Sequence, residues 1–360
     1  MKYIIDEKKG KTAYMQLYEA IREDIVSGVY PQGSKLPSKR LLSEECGISV
    51  VTAEHALSML CDEGYIESRQ RSGYFVIFRK EDVFSVSESR SLPLPPPPKS
   101  FDSYSFPFSV MAKTMRRVLS DYGENILTKS PNCGVWELRL AISQYLARSR
   151  GITAAPECII IGSGAEYMYG MAALLLGRER VWGIEDPSYE KIEKVYRSQG
   201  ITYRKLPLGH HGISSEALAS TDAEVLHISP YRSFPSGVTA SASKRREYIR
   251  WADAGQRYII EDDFESEFTP SKKPEDTVFS LAKNQNVIYL NTFSRTVSPS
   301  IRAGYMVLPP ALAKQFDEKA GFYSCTVPAF EQYVLTELIT GGAFERHINR
   351  VRRARRKLTK

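Results

Sequence analysis

The stretch Asn291-Thr292-Phe293-Ser294-Arg295-Thr296-Val297-Ser298-Pro299-Ser300-Ile301-Arg302-Ala303-Gly304-Tyr305 joins two β-like runs, residues 287–291 and 304–308. Four more runs of this kind precede it, at 158–161, 181–185, 225–229 and 257–262. Several are nearly continuous Val, Ile, Leu and Tyr, as strands buried on both faces require. Helical patterns at 138–148 and 243–254 lie between them. Alternation of strand and helix predicts an α/β domain with a mainly parallel central sheet covered on both faces.

The chain has 360 residues, a length that suits two or three domains. Its formal net charge is +7. Residues 345–360 carry eight basic side chains against the single acid Glu345, so the remainder is neutral overall. Total charge is therefore weak evidence for a nucleic-acid partner, and the basic tail is read as a solvated helix end that could alternatively touch phosphates. Five dispersed cysteines (Cys46, Cys61, Cys133, Cys158, Cys325) form no CxxC and fit reduced thiols. The five histidines give no metal pattern, and His210-His211 reads as a loop pair. No run approaches the ~20 apolar residues of a membrane span, and no secretory h-region opens the chain. These features predict a cytoplasmic protein without metal or membrane.

Three zones follow: 1–78, largely helical and closing on a short β stretch; 79–105, polar and then proline-rich with Pro93 and Pro95-Pro96-Pro97-Pro98; and 106–360, the α/β zone. Consecutive prolines favour extended polyproline geometry, so the middle zone is expected to be a semi-rigid linker. In the first zone, a helix is expected over 13–27, with Leu17, Ile21 and Ile25 on one face and Gly28 as its stop. A second follows the Ser38 N-cap, with Leu41 and Leu42 in the core and Gly47 at its end. A third runs 50–63 from the Ser49 N-cap, burying Ala53, Ala56, Leu57 and Leu60. Tyr65-Ile66 and Tyr74-Phe75-Val76 then flank the polar turn Arg69-Gln70-Arg71-Ser72-Gly73, the pattern of a β-hairpin wing with a basic tip.

This first zone resembles the GntR winged-helix family. The likeness rests on Leu36-Pro37-Ser38-Lys39-Arg40, Cys46-Gly47-Ile48-Ser49, Thr52, Glu63-Gly64-Tyr65-Ile66 and Ser72-Gly73-Tyr74-Phe75-Val76. The resemblance implies double-stranded operator DNA as partner, met by Lys39, Arg40, Ser49, Val50, Thr52, Arg71 and Ser72. Arginines and helix N-termini suit phosphates, and an exposed first turn can enter the major groove. The family carries arginine after the serine where this chain has Val50, a change that removes a polar contact and favours thymine methyls.

The zone from 106 onward resembles the aminotransferase-like half of MocR-type regulators, a fold-type I domain that takes pyridoxal 5′-phosphate (PLP). In that family a lysine follows the serine of the opening stretch and forms a Schiff base with the cofactor; here Arg295 stands there. Arginine stays protonated, so no covalent anchor is expected at this position. Arg295 keeps an electrostatic hold on the aldehyde oxygen or the phosphate. The resemblance implies a phosphate cup from Gly164, Ala165 and Glu166 at a helix start, the hydroxyls of Thr292 and Ser294, and the Arg302 fork. Asp262, in Glu261-Asp262-Asp263-Phe264, takes the role of the acid facing the pyridine nitrogen. Tyr167 is open to two readings, a ring stacked on the pyridine or a packed tyrosine. Phe264 replaces a tyrosine that donates to the phenolate oxygen, and Phe234 an asparagine in Ser229-Pro230-Tyr231-Arg232-Ser233-Phe234-Pro235-Ser236-Gly237; phenylalanine donates nothing. Family members carry a further, smaller C-terminal domain, and residues 350–360 end inside an expected long helix, so that domain is expected to be truncated.

Three readings result. One is a homodimeric transcriptional regulator whose aminotransferase-like domain senses PLP or an amino compound, bound noncovalently. The second is a working aminotransferase, disfavoured because the proton-moving lysine is absent. The third is a degenerate scaffold that binds nothing.

Overall fold

The computed structural model describes residues 3–6, 10–79, 106–271, 275–283 and 286–358. Contacts divide the chain into two compact units, Met1–Pro98 and Lys99–Lys360. The expected linker, apart from Arg79, lies outside the described residues, as does Lys360 of the basic tail.

In the first unit, helix α1 (Ala13–Ser27) packs on α3 (Val50–Asp62), and α2 (Lys39–Cys46) joins them. Ser38 accepts the Leu41 N–H at 3.2 Å, and Ser49 accepts the Thr52 N–H at 3.0 Å. Each cap satisfies a donor that a helix start leaves orphaned. Between the two helices Gly47 adopts φ 65°, a left-handed turn that a side chain would strain. Leu17, Leu42, Ala53, Ala56, Leu57 and Leu60 are fully buried. Leu41 is 43% exposed rather than in the core, because consecutive helix positions cannot share a face and Leu42 takes the inward one. Strands β1 (Ile66–Arg69) and β2 (Gly73–Val76) pair antiparallel, with Lys35 bridged to Phe75 alongside.

Among the described residues the second unit is built on eight strands: β3 (Ile159–Gly162), β4 (Trp182–Asp186), β5 (Tyr203–Gly209), β6 (Gly212–Ile213), β7 (Val225–Ile228), β8 (Tyr258–Asp262), β9 (Val287–Thr292) and β10 (Gly304–Val307). They lie in the order β3-β10-β9-β8-β7-β4-β5-β6. Pairs β5–β4–β7–β8–β9 are parallel; β10 runs antiparallel to both β9 and β3, and β6 to β5. The sequence pattern missed β5 and β6. Of β5 only Leu206 is buried and its other residues are exposed or half-exposed, so they form no continuous apolar run.

Around this sheet pack α4 (Phe108–Tyr122), α5 (Trp136–Arg150), α6 (Ala165–Leu176), α7 (Glu190–Ser198), α8 (Ser215–Ser220), α9 (Ala242–Ala254), α10 (Val278–Leu281), α11 (Phe293–Thr296), α12 (Pro310–Ala320), α13 (Ala329–Thr340) and α14 (Ala343–Leu358). Both faces are covered, as β10 illustrates. Tyr305 and Val307 join the core beneath α5, α13 and α14, while Met306 between them joins the core beneath α6 and α12. Period-two alternation with both faces apolar gives the continuous hydrophobic run seen in the sequence.

The basic C-terminal helix is not a solvated end. Arg352 Nε donates to the Glu267 carbonyl at 2.5 Å, Arg355 Nη2 to Glu265 Oε1 at 2.7 Å, and Arg356 Nε to the Pro270 carbonyl at 2.7 Å. Three arginines thus fasten α14 to the loop that follows β8. Composition could not show this, because their acceptors lie some 85 to 90 residues away.

Candidate functional site

Parallel strands expose their C-terminal ends to ligands where the connections diverge. Here those ends carry Glu185-Asp186 (β4), Asp262 (β8) and Thr292 (β9), and a cavity of about 370 Å³ opens beside them. The lining takes Ala165, Glu166 and Tyr169 from α6, and Tyr189 from the connection after β4. Arg232, Ser233 and Phe234 come from the loop after β7, and Asp262, Phe264 and Glu265 from the end of β8 and its loop. Thr292, Ser294, Arg295 and Arg302 also line it. Of the residues expected to hold a cofactor, Gly164 and Tyr167 fall outside the lining. Gly164 caps α6 with φ 98°, and a Cβ there would stand 2.9 Å from Arg302 Nη2. Tyr167 is packed: a Cβ on Gly162 would meet its ring at 2.5 Å.

Charge is concentrated at the start of α6. The Glu166 carboxylate accepts from Arg302 Nη2 at 2.8 Å and from Lys191 Nζ at 2.5 Å. Burial pushes this carboxyl up, but those two hydrogen bonds and one from its own backbone outweigh it and hold the group below its ordinary range. Thr292 and Ser294 turn their hydroxyls to the Ala303 and Ile301 carbonyls at 3.2 Å, a long separation for a hydroxyl donor. Such hydroxyls rotate toward a better acceptor when one is present.

Asp262 also lines the cavity and is 4% exposed. Its Oδ2 accepts from the Tyr169 hydroxyl and stands 3.7 Å from His227 Nε2. The Tyr196 hydroxyl and His227 Nδ1 are 2.6 Å apart, which orients the imidazole. Burial and the adjacent Asp262 push the Tyr169 phenol well up, so it remains a donor. Among the described residues no donor reaches Asp262 Oδ1, which leaves that oxygen for a ligand. Nearby, burial pushes the Glu185 carboxyl up to about 8, against the opposing hydrogen bond from the Ser233 hydroxyl at 2.5 Å.

Arg295 follows the N-capping Thr292 in the short α11 and reaches Glu265 Oε1 at 3.5 Å. Phe264 and Phe234 bring apolar rings to the wall, and Phe234 meets Tyr189 edge-on at 6.1 Å. Sequence reasoning missed Tyr169, Tyr189, Arg232 and Glu265. For Tyr189 a signal existed: an aromatic four residues after Glu185, just beyond a strand end. For Tyr169 there was none, because its role depends on a helix turn reaching a strand 93 residues away.

These residues suit PLP in part. A helix start widened by Gly164, two hydroxyls and Arg302 match a phosphate; a buried carboxylate with a free oxygen matches a protonated pyridine nitrogen. No lysine lines the cavity among the described residues, and Lys191 approaches it only through Glu166.

In the first unit, Arg40, Ser49, Arg71 and Ser72 are exposed, Val50 is 38% exposed, and Thr52 is half-buried. Ser49 and Thr52 hydroxyls lie 2.8 Å apart, and Lys39 pairs with Glu54 at 2.5 Å. Arg71 sits at the wing tip with φ 59°. Val51, overlooked in the sequence, is 74% exposed and presents more apolar surface than Val50.

Among the described residues no helix is long and apolar enough to cross a membrane, and no cluster of His, Cys, Asp or Glu could hold a metal ion.

Comparison with known proteins gives two family matches: "Bacterial regulatory proteins, gntR family" over residues 13–76, and "Aminotransferase class I and II" over residues 100–360. The uncharacterized HTH-type transcriptional regulator YdeL of Bacillus subtilis is 32% identical over 96% of this chain and 77% of its own length. The pyridoxine biosynthesis transcriptional regulator PdxR of Corynebacterium glutamicum is 28% identical, over 94% of this chain and 75% of its own. The probable rhizopine catabolism regulatory protein MocR of Rhizobium meliloti is 27% identical, over 97% and 76%. Among solved structures, a Pyrococcus horikoshii kynurenine aminotransferase superposes with TM-score 0.63 at 25% identity, over 69% of this chain and 64% of that one. The Thermus thermophilus α-aminoadipate aminotransferase LysN, complexed with N-(5′-phosphopyridoxyl)-L-leucine, gives 0.62 at 27%, over 70% and 65%.

Proposed function

The chain belongs to the MocR-type branch of the GntR transcriptional regulators, a DNA-binding winged helix fused to an aminotransferase class I and II domain, and from that premise we propose that its second unit senses PLP, or an amino compound presented with it, without transaminating. One observation supports this reading: the cavity brings Arg302 and the α6 start together with Asp262, while its lining offers arginines and, among the described residues, no lysine.

Arg302, Thr292, Ser294 and the Ala165–Glu166 backbone would hold the phosphate. Arg302 would then exchange the Glu166 carboxylate for the ligand, leaving Glu166 to Lys191. Asp262, steadied by Tyr169, would keep the pyridine nitrogen protonated, and Tyr189 would pack on the ring. Bound PLP supplies an electron sink; a transaminase needs in addition a base that moves the substrate's α-proton. Arg295 is charged and cannot be that base.

The first unit reads DNA through Arg40, Ser49, Val50, Thr52, Arg71 and Ser72, with Lys39 beside them. Two copies of the chain would set two such readers on one operator. The exposed Phe108, Leu119, Leu127 and Trp136 on and beside α4 and α5 support a self-association face.

The test is visible absorbance of the full chain with added PLP, followed by borohydride reduction and dialysis. The expected result is a shifted band that dialyses away. A band that survives reduction identifies another lysine as anchor and overturns the noncovalent reading; no band overturns PLP as ligand.

A further inference from the structure

The cavity holds more positive charge than a phosphate at Arg302 uses. Arg302 already faces Glu166 at 2.8 Å. Two further arginines line the same space. Arg295, its side chain 50% exposed, reaches Glu265 only at 3.5 Å, and the same Oε1 is engaged by Arg355 at 2.7 Å. Arg232 has a left-handed backbone at φ 49° and donates its main-chain N–H to Thr239 Oγ1 at 3.1 Å. Among the described residues no hydrogen bond or ion pair holds its guanidinium. The acids of the lining are otherwise committed: Glu166 to Arg302 and Lys191, Asp262 to Tyr169, Glu265 to Arg355.

Guanidinium groups stay charged and present a planar fork of donors that matches a carboxylate. A ligand offering only an ammonium here would meet like charge. We propose that Arg232 and Arg295 form a second anion subsite in this cavity, which takes a carboxylate carried by the ligand. The proposal rests on the cofactor-site reading above and deepens it. The preferred ligand bears a phosphate for Arg302 and, beyond the ring, a carboxylate: an amino-acid adduct of the phosphopyridoxyl group rather than an adduct of a simple amine. The substitution that removes the covalent anchor then does a second job, since Arg295 supplies half of the carboxylate grip.

Titration calorimetry on the full chain tests this with two stable probes, N-(5′-phosphopyridoxyl)-L-leucine and N-(5′-phosphopyridoxyl)-isoamylamine, which differ only by the carboxylate. The leucine probe is expected to bind about tenfold more tightly, the size of a charge-assisted hydrogen-bond difference. Arg232→Gln and Arg295→Gln, checked for folding by circular dichroism, should each shrink that ratio by about threefold or more. Equal affinities in the unmodified chain, or a ratio that survives both substitutions, overturn the subsite. If neither probe binds, the cofactor-site reading fails and takes the subsite with it.

Discussion

The residues proposed to meet DNA and those that line the ligand cavity are assembled in opposite ways. Lys39 through Ser72 is one continuous piece of chain, and its positions are fixed by neighbours: Ser49 caps the helix that presents Val50, Val51 and Thr52. The cavity draws on residues from Ala165 to Arg302, the buried Asp262 among them, and relies on buried groups outside its lining such as Glu185 and His227. A local site needs caps and turns, and its charges remain in water. A site at strand ends needs the whole sheet, and it pays in buried charge that must be matched residue by residue.

That contrast predicts unequal sensitivity, beginning with the largest effect. Arg150 Nη2 meets Asp263 at 2.7 Å with both side chains almost wholly buried, and the Tyr289 hydroxyl donates to the same oxygen. Arg150→Met should destabilise the second unit by about 3–5 kcal/mol, because Asp263 loses its counter-ion in the interior. Denaturant unfolding followed separately for each unit checks this; an equal loss in the winged helix would break the contrast.

Next comes pH. The folded Glu185 carboxyl titrates near 8, above its ordinary 4.5. Below the lower value both states hold the proton; between the two the unfolded chain releases it first. Stability of the second unit should therefore fall as pH rises from 5 to 8, by about 3 kcal/mol if this group acts alone. Glu185→Gln, which keeps an acceptor for Ser233, should flatten the slope. Thermal unfolding against pH reads it, and an unchanged slope in the variant removes Glu185 as the cause.

Smaller effects belong to the winged helix. Ser49→Ala removes a cap and should cost about 1 kcal/mol of first-unit stability, seen as a lower unfolding midpoint. Arg40→Ala should weaken DNA binding alike across sequences and lower the slope of log affinity against log salt by about 1, as loss of one phosphate contact requires. Sequence-selective weakening would instead make Arg40 a base reader and sharpen the local site.

Much of this was legible in the chain. Six strands were visible as apolar runs because strands covered on both faces have no polar alternation to confuse them. The winged helix was visible because Ser38, Ser49, Gly28 and Gly47 punctuate it locally. Strand β5 was hidden because all but Leu206 is exposed or half-exposed. Leu41 was misplaced because a pair of adjacent leucines does not say which one points inward. Arg352, Arg355 and Arg356 looked like a solvated tail because their acceptors come from the distant loop after β8.

Residue identity by itself determined what chemistry is on hand: an arginine where a lysine would anchor PLP, phenylalanines where donors would stand, and a helix-turn-helix with its wing. Those follow from covalent structure and from short-range caps and turns. Only the tertiary structure decided which charges are spent and which are free. Glu166 faces Arg302, Tyr169 donates to Asp262, Arg355 engages Glu265, and among the described residues nothing matches Arg232, because pairing depends on distances between strand ends that lie far apart in the sequence.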